Sequence, residues 1–201
     1  MLDLVISGGT CVLPSGAAQV DVGVTGDKIV VIGAPGSLGS STRAVDATGK
    51  VVMPGGIDPH IHCLSPIRFP GEAEPKYTDP PAQVSRAALF GGTTSRIDFV
   101  QCTHDRSIQT AIEQTDANWK NACYCDYGFH LTLMGKIPVG QHDELAEAMQ
   151  AGHASIKIFV IAHPGKAGSC SGIFVASTKR STSSTGARLA FAVLTRERNA
   201  A

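Results

Sequence analysis

No run of apolar residues in this 201-residue sequence approaches the roughly 18 needed to span a bilayer, which argues against a membrane protein. The opening residues, Met1-Leu2-Asp3-Leu4-Val5-Ile6, carry no basic segment ahead of an apolar one, so they do not read as a secretory signal. The absence of an address points to the cytoplasm. None of the six cysteines stands in a CxxC pair, which removes the usual zinc-knuckle and redox motifs. They are expected to be small buried or half-buried thiols in a reducing compartment. Net charge is zero, but its distribution is uneven. Residues 1–164 hold 11 Lys/Arg and 16 Asp/Glu, whereas residues 165–201 hold six Lys/Arg and the single acid Glu197. That basic tail is Ser/Thr/Ala-rich, and Phe174 and Phe191 are its only aromatic residues, too sparse a pattern to indicate nucleic-acid binding. Apolar residues make up 43% and charged residues 17%, ordinary proportions for a chain that buries a core.

The first 50 residues alternate apolar and polar positions between Gly/Asp turns. Leu2, Leu4 and Ile6 form one such series, and Val20, Val22 and Val24 another, before Gly26-Asp27-Lys28. This is the pattern of short strands and hairpins, and predicts a small β domain over residues 1–50. The rhythm then changes. Val51-Val52-Met53 reads as a short strand running into Pro54-Gly55-Gly56-Ile57-Asp58-Pro59-His60-Ile61-His62. A loop follows over residues 63–81. Helices are expected over 82–90, 105–122 and 143–150, and strands over 93–100, 127–133 and 154–161. Alternating strands and helices at this spacing predict an α/β fold with a parallel sheet, in which chemistry gathers at the C-terminal strand ends.

Three residues at such places stand out. His60 and His62 are two apart, so on an extended segment both imidazoles point to one side and can hold one divalent cation. Lys157 lies within Ser155-Ile156-Lys157-Ile158-Phe159-Val160. A lysine inside an apolar strand is costly unless it is paired or chemically used. If Ile156 and Ile158 face one side, Lys157 faces the other. Among the remaining histidines, His104 reads as a surface residue and His130 as a packed, hydrogen-bonded one. His142 and His153 read as solvated at the ends of a helix, and His163 comes too soon after Lys157 to belong to a further strand.

Several of these stretches resemble the cyclic amidohydrolases, the dihydropyrimidinase and hydantoinase family of the amidohydrolase superfamily. The stretch VVMPGGIDPHIH over 51–62 resembles that family's first barrel strand. Gly91-Gly92-Thr93-Thr94 with Ile97-Asp98-Phe99-Val100 resembles the second, Asp126-Tyr127-Gly128-Phe129-His130-Leu131 the third, and Ser155-Ile156-Lys157-Ile158-Phe159 the fourth. The opening Asp3-Leu4-Val5-Ile6-Ser7-Gly8-Gly9-Thr10 is similar to the β-sandwich that precedes the barrel in that family.

The resemblance implies a partial TIM (β/α)8 barrel of about four strands over residues 51–164, preceded by part of a small β-sandwich over residues 1–50. It implies a metal-dependent ring opening of a small cyclic amide such as dihydrouracil or hydantoin. It implies two divalent ions, zinc for preference: His60 and His62 would hold the more buried one, and Lys157, carboxylated by carbon dioxide, would bridge the two. The family is usually homotetrameric. Relatives that lost their metal ligands serve as cytoskeletal adaptors, but those lack the HxH pair that is intact here.

The resemblance stops near residue 164. The family takes two further histidines and an aspartate from later strands, and this sequence has no histidine and no aspartate after His163. An intact barrel takes about 250 residues. The tail over residues 165–201 is therefore expected to be unrelated, of the kind a frameshift produces, and disordered. The family's catalytic aspartate has no counterpart, so at most a partial metal site is expected. The uncovered edge of the fourth strand should favour aggregation or edge pairing. On this reading the chain as it stands does not open the rings of dihydrouracil, hydantoin or allantoin at an enzymatic rate. Turnover by metal-saturated protein that is abolished in His60→Ala would refute that expectation.

Overall fold

In a computed structural model of the chain, the described residues are 1–133, 140–160, 170–177 and 188–196. They divide into two units, Met1–Gly55 and Gly56–Ala201.

The first unit holds seven strands: β1 (Leu2–Ser7), β2 (Thr10–Leu13), β3 (Gly16–Gln19), β4 (Asp21–Thr25), β5 (Lys28–Gly33), β6 (Ser41–Asp46) and β7 (Val51–Val52). They form a four-stranded sheet in the order β5-β4-β1-β6 and a three-stranded sheet in the order β3-β2-β7. Strand β4, which carries Val22 and Val24, pairs antiparallel with both β1 and β5. Asp21 is buried at the start of β4, where its carboxylate accepts the Gly8 N–H at 3.3 Å and the Gly36 N–H at 2.7 Å. Both glycines have positive φ, +77° and +73°, so one buried carboxylate ties down two left-handed turns that favour glycine. Val51-Val52 does not lead into the second unit's sheet as the sequence pattern suggested. It pairs in parallel with β2 at Thr10 and Cys11, and the division falls after Gly55.

The second unit begins with β8 (Gly56–Asp58) and a loop carrying the two-residue strands β9 (Pro66–Ile67) and β10 (Lys76–Tyr77). Then come α1 (Pro81–Phe90), β11 (Thr93–Cys102), α2 (Ile108–Trp119), β12 (Asp126–Leu133), α3 (Gln141–Gln150), β13 (Ser155–Val160), β14 (Cys170–Ser177) and β15 (Arg188–Arg196). The fold is mixed α/β. Its sheet runs β15-β14-β13-β12-β11-β8, with β8, β11, β12 and β13 parallel to one another. Pro81 opens α1, where its missing N–H costs nothing, and the Gly91 N–H bonds back to the last turn. Helix α2 is shorter than its apolar pattern suggested. Ser107 lies outside the helix and its hydroxyl accepts the Thr110 N–H at 3.0 Å, which sets the start at Ile108. Glu144 of α3 accepts the Ile108 N–H at 2.7 Å, satisfying a second orphan donor at the same helix end.

Residues 170–177 and 188–196 depart from the expectation of disorder after residue 164. They form strands, β14 antiparallel to β13 and β15 antiparallel to β14. The edge of β13 that was expected to be open is therefore paired with β14, from Ser155↔Val175 to Val160↔Cys170. The physical reason is composition rather than period. Ile173-Phe174-Val175 and Leu189-Ala190-Phe191-Ala192-Val193-Leu194 are short continuous apolar runs, which suit strands without showing alternation. Residues 161–169, 178–187 and 197–201 lie outside the described residues, and with them His163. No helix among the described residues is long and apolar enough to cross a membrane.

The core lies between the parallel strands and their helices. Val100 and Cys102 of β11, Phe129, Leu131 and Leu133 of β12 and Ile156 of β13 are buried together with Ile108, Ala111, Ile112 and Trp119 of α2 and Ala148 of α3. These strand residues share one parity, so the sheet's other face is left to the residues between them. Leu131 is fully buried at the centre of this core. Leu131→Ala is expected to destabilise the unit by about 2–5 kcal/mol through lost burial and the cavity left behind. Urea unfolding followed by the fluorescence of Trp119, the chain's one tryptophan, measures this.

Candidate metal centre

The helix-free face of the parallel strands collects the residues that the sequence pattern singled out. Phe99 pairs in register with His130, and Thr132 with Lys157. Register partners on parallel strands point to the same face, which here also bears Ser155. Lys157 is 5% exposed and sits with its Nζ 4.1 Å from the centroid of the Phe99 ring. Beyond the end of β8, His60 and His62 approach the same ring, each with its centroid 4.6 Å from that of Phe99. Their Nε2 atoms lie 3.2 Å apart. The structure thus brings His60, His62 and Lys157 around one aromatic ring.

The chemistry of this set suits a divalent cation. Two nitrogens bound to one tetrahedral zinc at about 2.0–2.1 Å stand about 3.3 Å apart, close to the separation here. Without a cation, the same approach allows one ring N–H to donate to the other ring's lone pair. The two histidines are exposed, so the position between them is open to a ligand from solvent. Thr132, the register partner of Lys157, buries its Oγ1 with no hydrogen-bond partner among the described residues. A buried hydroxyl in that state costs about 1–3 kcal/mol, and its strand parity places it on the face that carries the lysine. No cluster of three or more His, Cys, Asp and Glu side chains converges among the described residues, so the set depends on Lys157 for its third member.

The backbone of the histidine loop is pinned almost residue by residue. The His60 N–H donates to the Asp58 carboxylate at 3.2 Å. The Ile61 N–H donates to the Ile97 carbonyl at 3.2 Å. The Cys63 N–H donates to Asp98 at 3.3 Å. Asp98 also accepts the Trp119 indole N–H at 3.2 Å and the Phe99 N–H at 2.7 Å. Burial raises the Asp98 carboxyl above its ordinary value, opposed in part by these hydrogen bonds. His130 is buried and joins two strands: its Nε2 meets the Pro59 carbonyl at 2.8 Å and its Nδ1 meets the Ser155 hydroxyl. Burial lowers its pKa, and the charges of His60 and Lys157 push in the same direction against the Pro59 bond.

The sequence reading of His130 as a hydrogen-bonded core residue agrees with this, and His104 is exposed as expected. His153 differs. It is half-buried and stacks on Phe129 at 6.3 Å, with its pKa lowered by burial, because the turn after α3 folds it back onto the core. His142 lies within α3, on its first turn. Asp98 and Thr132 were not singled out from sequence. The signal available was strand parity: Thr132 is two residues from His130, and Asp98 lies on the helix-facing side between Ile97 and Phe99. Cys11 and Cys102 are buried, while Cys63, Cys123 and Cys125 are half-buried and all five are free. Burial pushes Cys63 up to about 12 and Cys102 and Cys125 up to about 11, which keeps these thiols protonated.

The raised Asp98 gives a sign-definite prediction. A carboxyl that holds its proton more tightly folded than unfolded favours the folded state below its unfolded value. That contribution is lost as pH rises through the folded one. The stability of the native chain relative to Asp98→Asn should therefore fall with rising pH across the acidic range. Urea midpoints of both proteins through that range provide the measurement, and a constant difference would contradict the assignment.

No family model matches the chain. Individual relatives do. The chain is 33% identical over 159 residues to a D-hydantoinase of Ralstonia pickettii, covering 79% of this chain and 33% of the relative. It is 34% identical over 163 residues to the dihydropyrimidinase of Rattus norvegicus, covering 78% and 30%. Among solved structures, a D-hydantoinase superposes with a TM-score of 0.66 at 32% identity, over 77% of this chain and 32% of that one. A dihydropyrimidinase from Brevibacillus agri gives 0.64 at 33% identity, over 77% and 32%. The chain spans about a third of the length of the curated relatives it matches. Over the shared stretch, about four-fifths of its length, the chain is homologous to D-hydantoinases and dihydropyrimidinases.

Proposed function

We propose that this chain carries the opening part of a metal-dependent centre that hydrolyses the ring amide of a dihydropyrimidine or hydantoin. On this reading β8, β11, β12 and β13 are the first four strands of a (β/α)8 barrel, and the strands of Met1–Gly55 are part of a small β-sandwich. The observation that supports it most is the 3.2 Å approach of the His60 and His62 Nε2 atoms beside the ring that Lys157 also covers. When bound, divalent zinc supplies polarisation of the amide carbonyl and lowers the pKa of a water to near 7.

The residues have separable tasks. His60 and His62 offer imidazole lone pairs from a loop whose backbone is fixed on both sides of the pair. Their exposure leaves room for a small cyclic amide to approach. Lys157 would supply a further ligand once its amine had added to carbon dioxide. The neutral amine nitrogen forms a bond to the carbon, one carbon–oxygen π bond becomes a carboxylate lone pair, and the nitrogen's proton leaves to solvent. Counting the proton the ammonium must first give up to solvent, the change turns a cationic side chain into an anionic one with two oxygen donors. Phe99 would border that carboxylate on one side, and His60 and His62 would hold the cation on the other.

Lys157→Ala tests this reading. The native chain in 13C-bicarbonate should show a carbamate carbon by NMR, and the alanine variant should not. Bound metal should fall in the variant, and short carboxylic acids should restore part of it by standing in for the carbamate. An alanine variant that keeps its full metal content would show that the lysine does not bridge.

A further inference from the structure

A fourth residue, which the metal reading does not use, bonds beside the candidate ligands, to Pro59 and Ser155. The ring of His130 is 4% exposed, and it bonds in two directions at once. Its Nε2 faces the carbonyl of Pro59, the residue immediately before His60, at 2.8 Å and 71 positions away in sequence. Its Nδ1 faces the hydroxyl of Ser155, two residues before Lys157 on the neighbouring strand. A carbonyl oxygen only accepts, so the Nε2 atom carries the proton. Its ring lies 5.0 Å from Phe99, the same ring that His60, His62 and Lys157 surround.

We propose that His130 is a positioning residue, a bracket that sets the separation between the His60/His62 pair and Lys157 by holding Pro59 and Ser155 together. Two features make this more than packing. The bond to Pro59 acts on the backbone one residue from the first ligand, where a strand has already ended: β8 stops at Asp58. The bond to Ser155 acts on the strand that carries the third ligand, and Ser155 points to the same face as Lys157. With Nε2–H given to Pro59, the neutral ring has Nδ1 free to accept the Ser155 O–H, and burial favours that neutral form. A neighbouring cation then meets no competing positive charge. Outer partners of this kind typically govern metal affinity by about 10–100-fold.

The proposal rests on the metal reading above, and the experiment separates the two. The probe is Co(II), titrated into the full chain and followed by its d–d absorption. His130→Asn places an acceptor near Nδ1 but cannot reach Pro59. His130→Gln extends an amide N–H to the Nε2 position and keeps that bond. Asn is expected to weaken Co(II) binding about 10-fold or more, and Gln to remain within a few-fold of native, at matched thermal stability. Equal weakening in both, or in neither, overturns the bracket. His60→Ala in the same titration must abolish the signal. If it does not, the metal reading fails while the bracket is decided by a second measurement. That measurement is the imidazole 15N spectrum of the native chain, in which His130 must carry its proton on Nε2 at neutral pH. A proton on Nδ1 overturns the proposal even where a variant fails to fold.

Discussion

Four of the five residues from Pro59 to Cys63 are held by hydrogen bonds to their own backbone, and the candidate site exists because of that. A loop at a strand end has lost its ladder partners and would wander. Here the Pro59 carbonyl is taken by His130, the His60 N–H by Asp58, the Ile61 N–H by the Ile97 carbonyl and the Cys63 N–H by Asp98. Three of these four partners are side chains or backbone of buried residues or of strands within the core. The imidazoles of His60 and His62 can then be exposed and still approach each other to 3.2 Å. Preorganisation of this kind is what lets a site bind without first ordering itself.

The sheet divides its labour by parity. On β11, Asp98, Val100 and Cys102 face the helices, and Phe99 faces the other way. On β12, Phe129, Leu131 and Leu133 build the core while His130 and Thr132 alternate between them. On β13, Ile156 is core and Lys157 is not. One face therefore contributes the burial that stabilises the unit, and the other gathers chemistry at little cost to the core. Asp98 couples the two. Its carboxylate sits on the core side with the Trp119 indole, and through Cys63 it also fixes the loop that carries the histidines.

How much of this was legible in the sequence follows from the length over which each signal acts. The HxH pair and the lysine in an apolar strand declare themselves within a few residues, and the structure places all three around Phe99. The alternation of β11 with β12 and the helices between them is equally local. Val51-Val52 was misread because its two residues carry no record of their partner: pairing with β2 rather than β11 is decided some 40 residues away, at Thr10 and Cys11. The strands β14 and β15 were missed because an apolar run with no alternation has no period to read. His153 was misread because its burial depends on Phe129, a contact between separate elements. The bonds of Asp98 to Cys63 and Trp119 and the reach of His130 to Pro59 are likewise long-range, and no spacing rule predicts them.

Local rules also fail here in an informative place. Lys157 is buried on a strand, Thr132 hides a hydroxyl without a partner among the described residues, and Arg96 does the same with its Nε while its guanidinium stands 3.7 Å from Asp58. A core optimised for stability alone would replace Thr132 with valine and Lys157 with leucine or methionine. These departures are not scattered. Thr132 and Lys157 are register partners, and Asp58, the carboxylate paired with Arg96, also binds the His60 N–H. Natural sequences tend to give up local consistency where a site requires it. The cost falls on the residues that face or hold His60, His62 and Lys157, while the helix-facing side of the same strands is apolar apart from Arg96 and Asp98. That distribution is difficult to explain by packing and follows directly if the helix-free face is built to receive a polar or charged group.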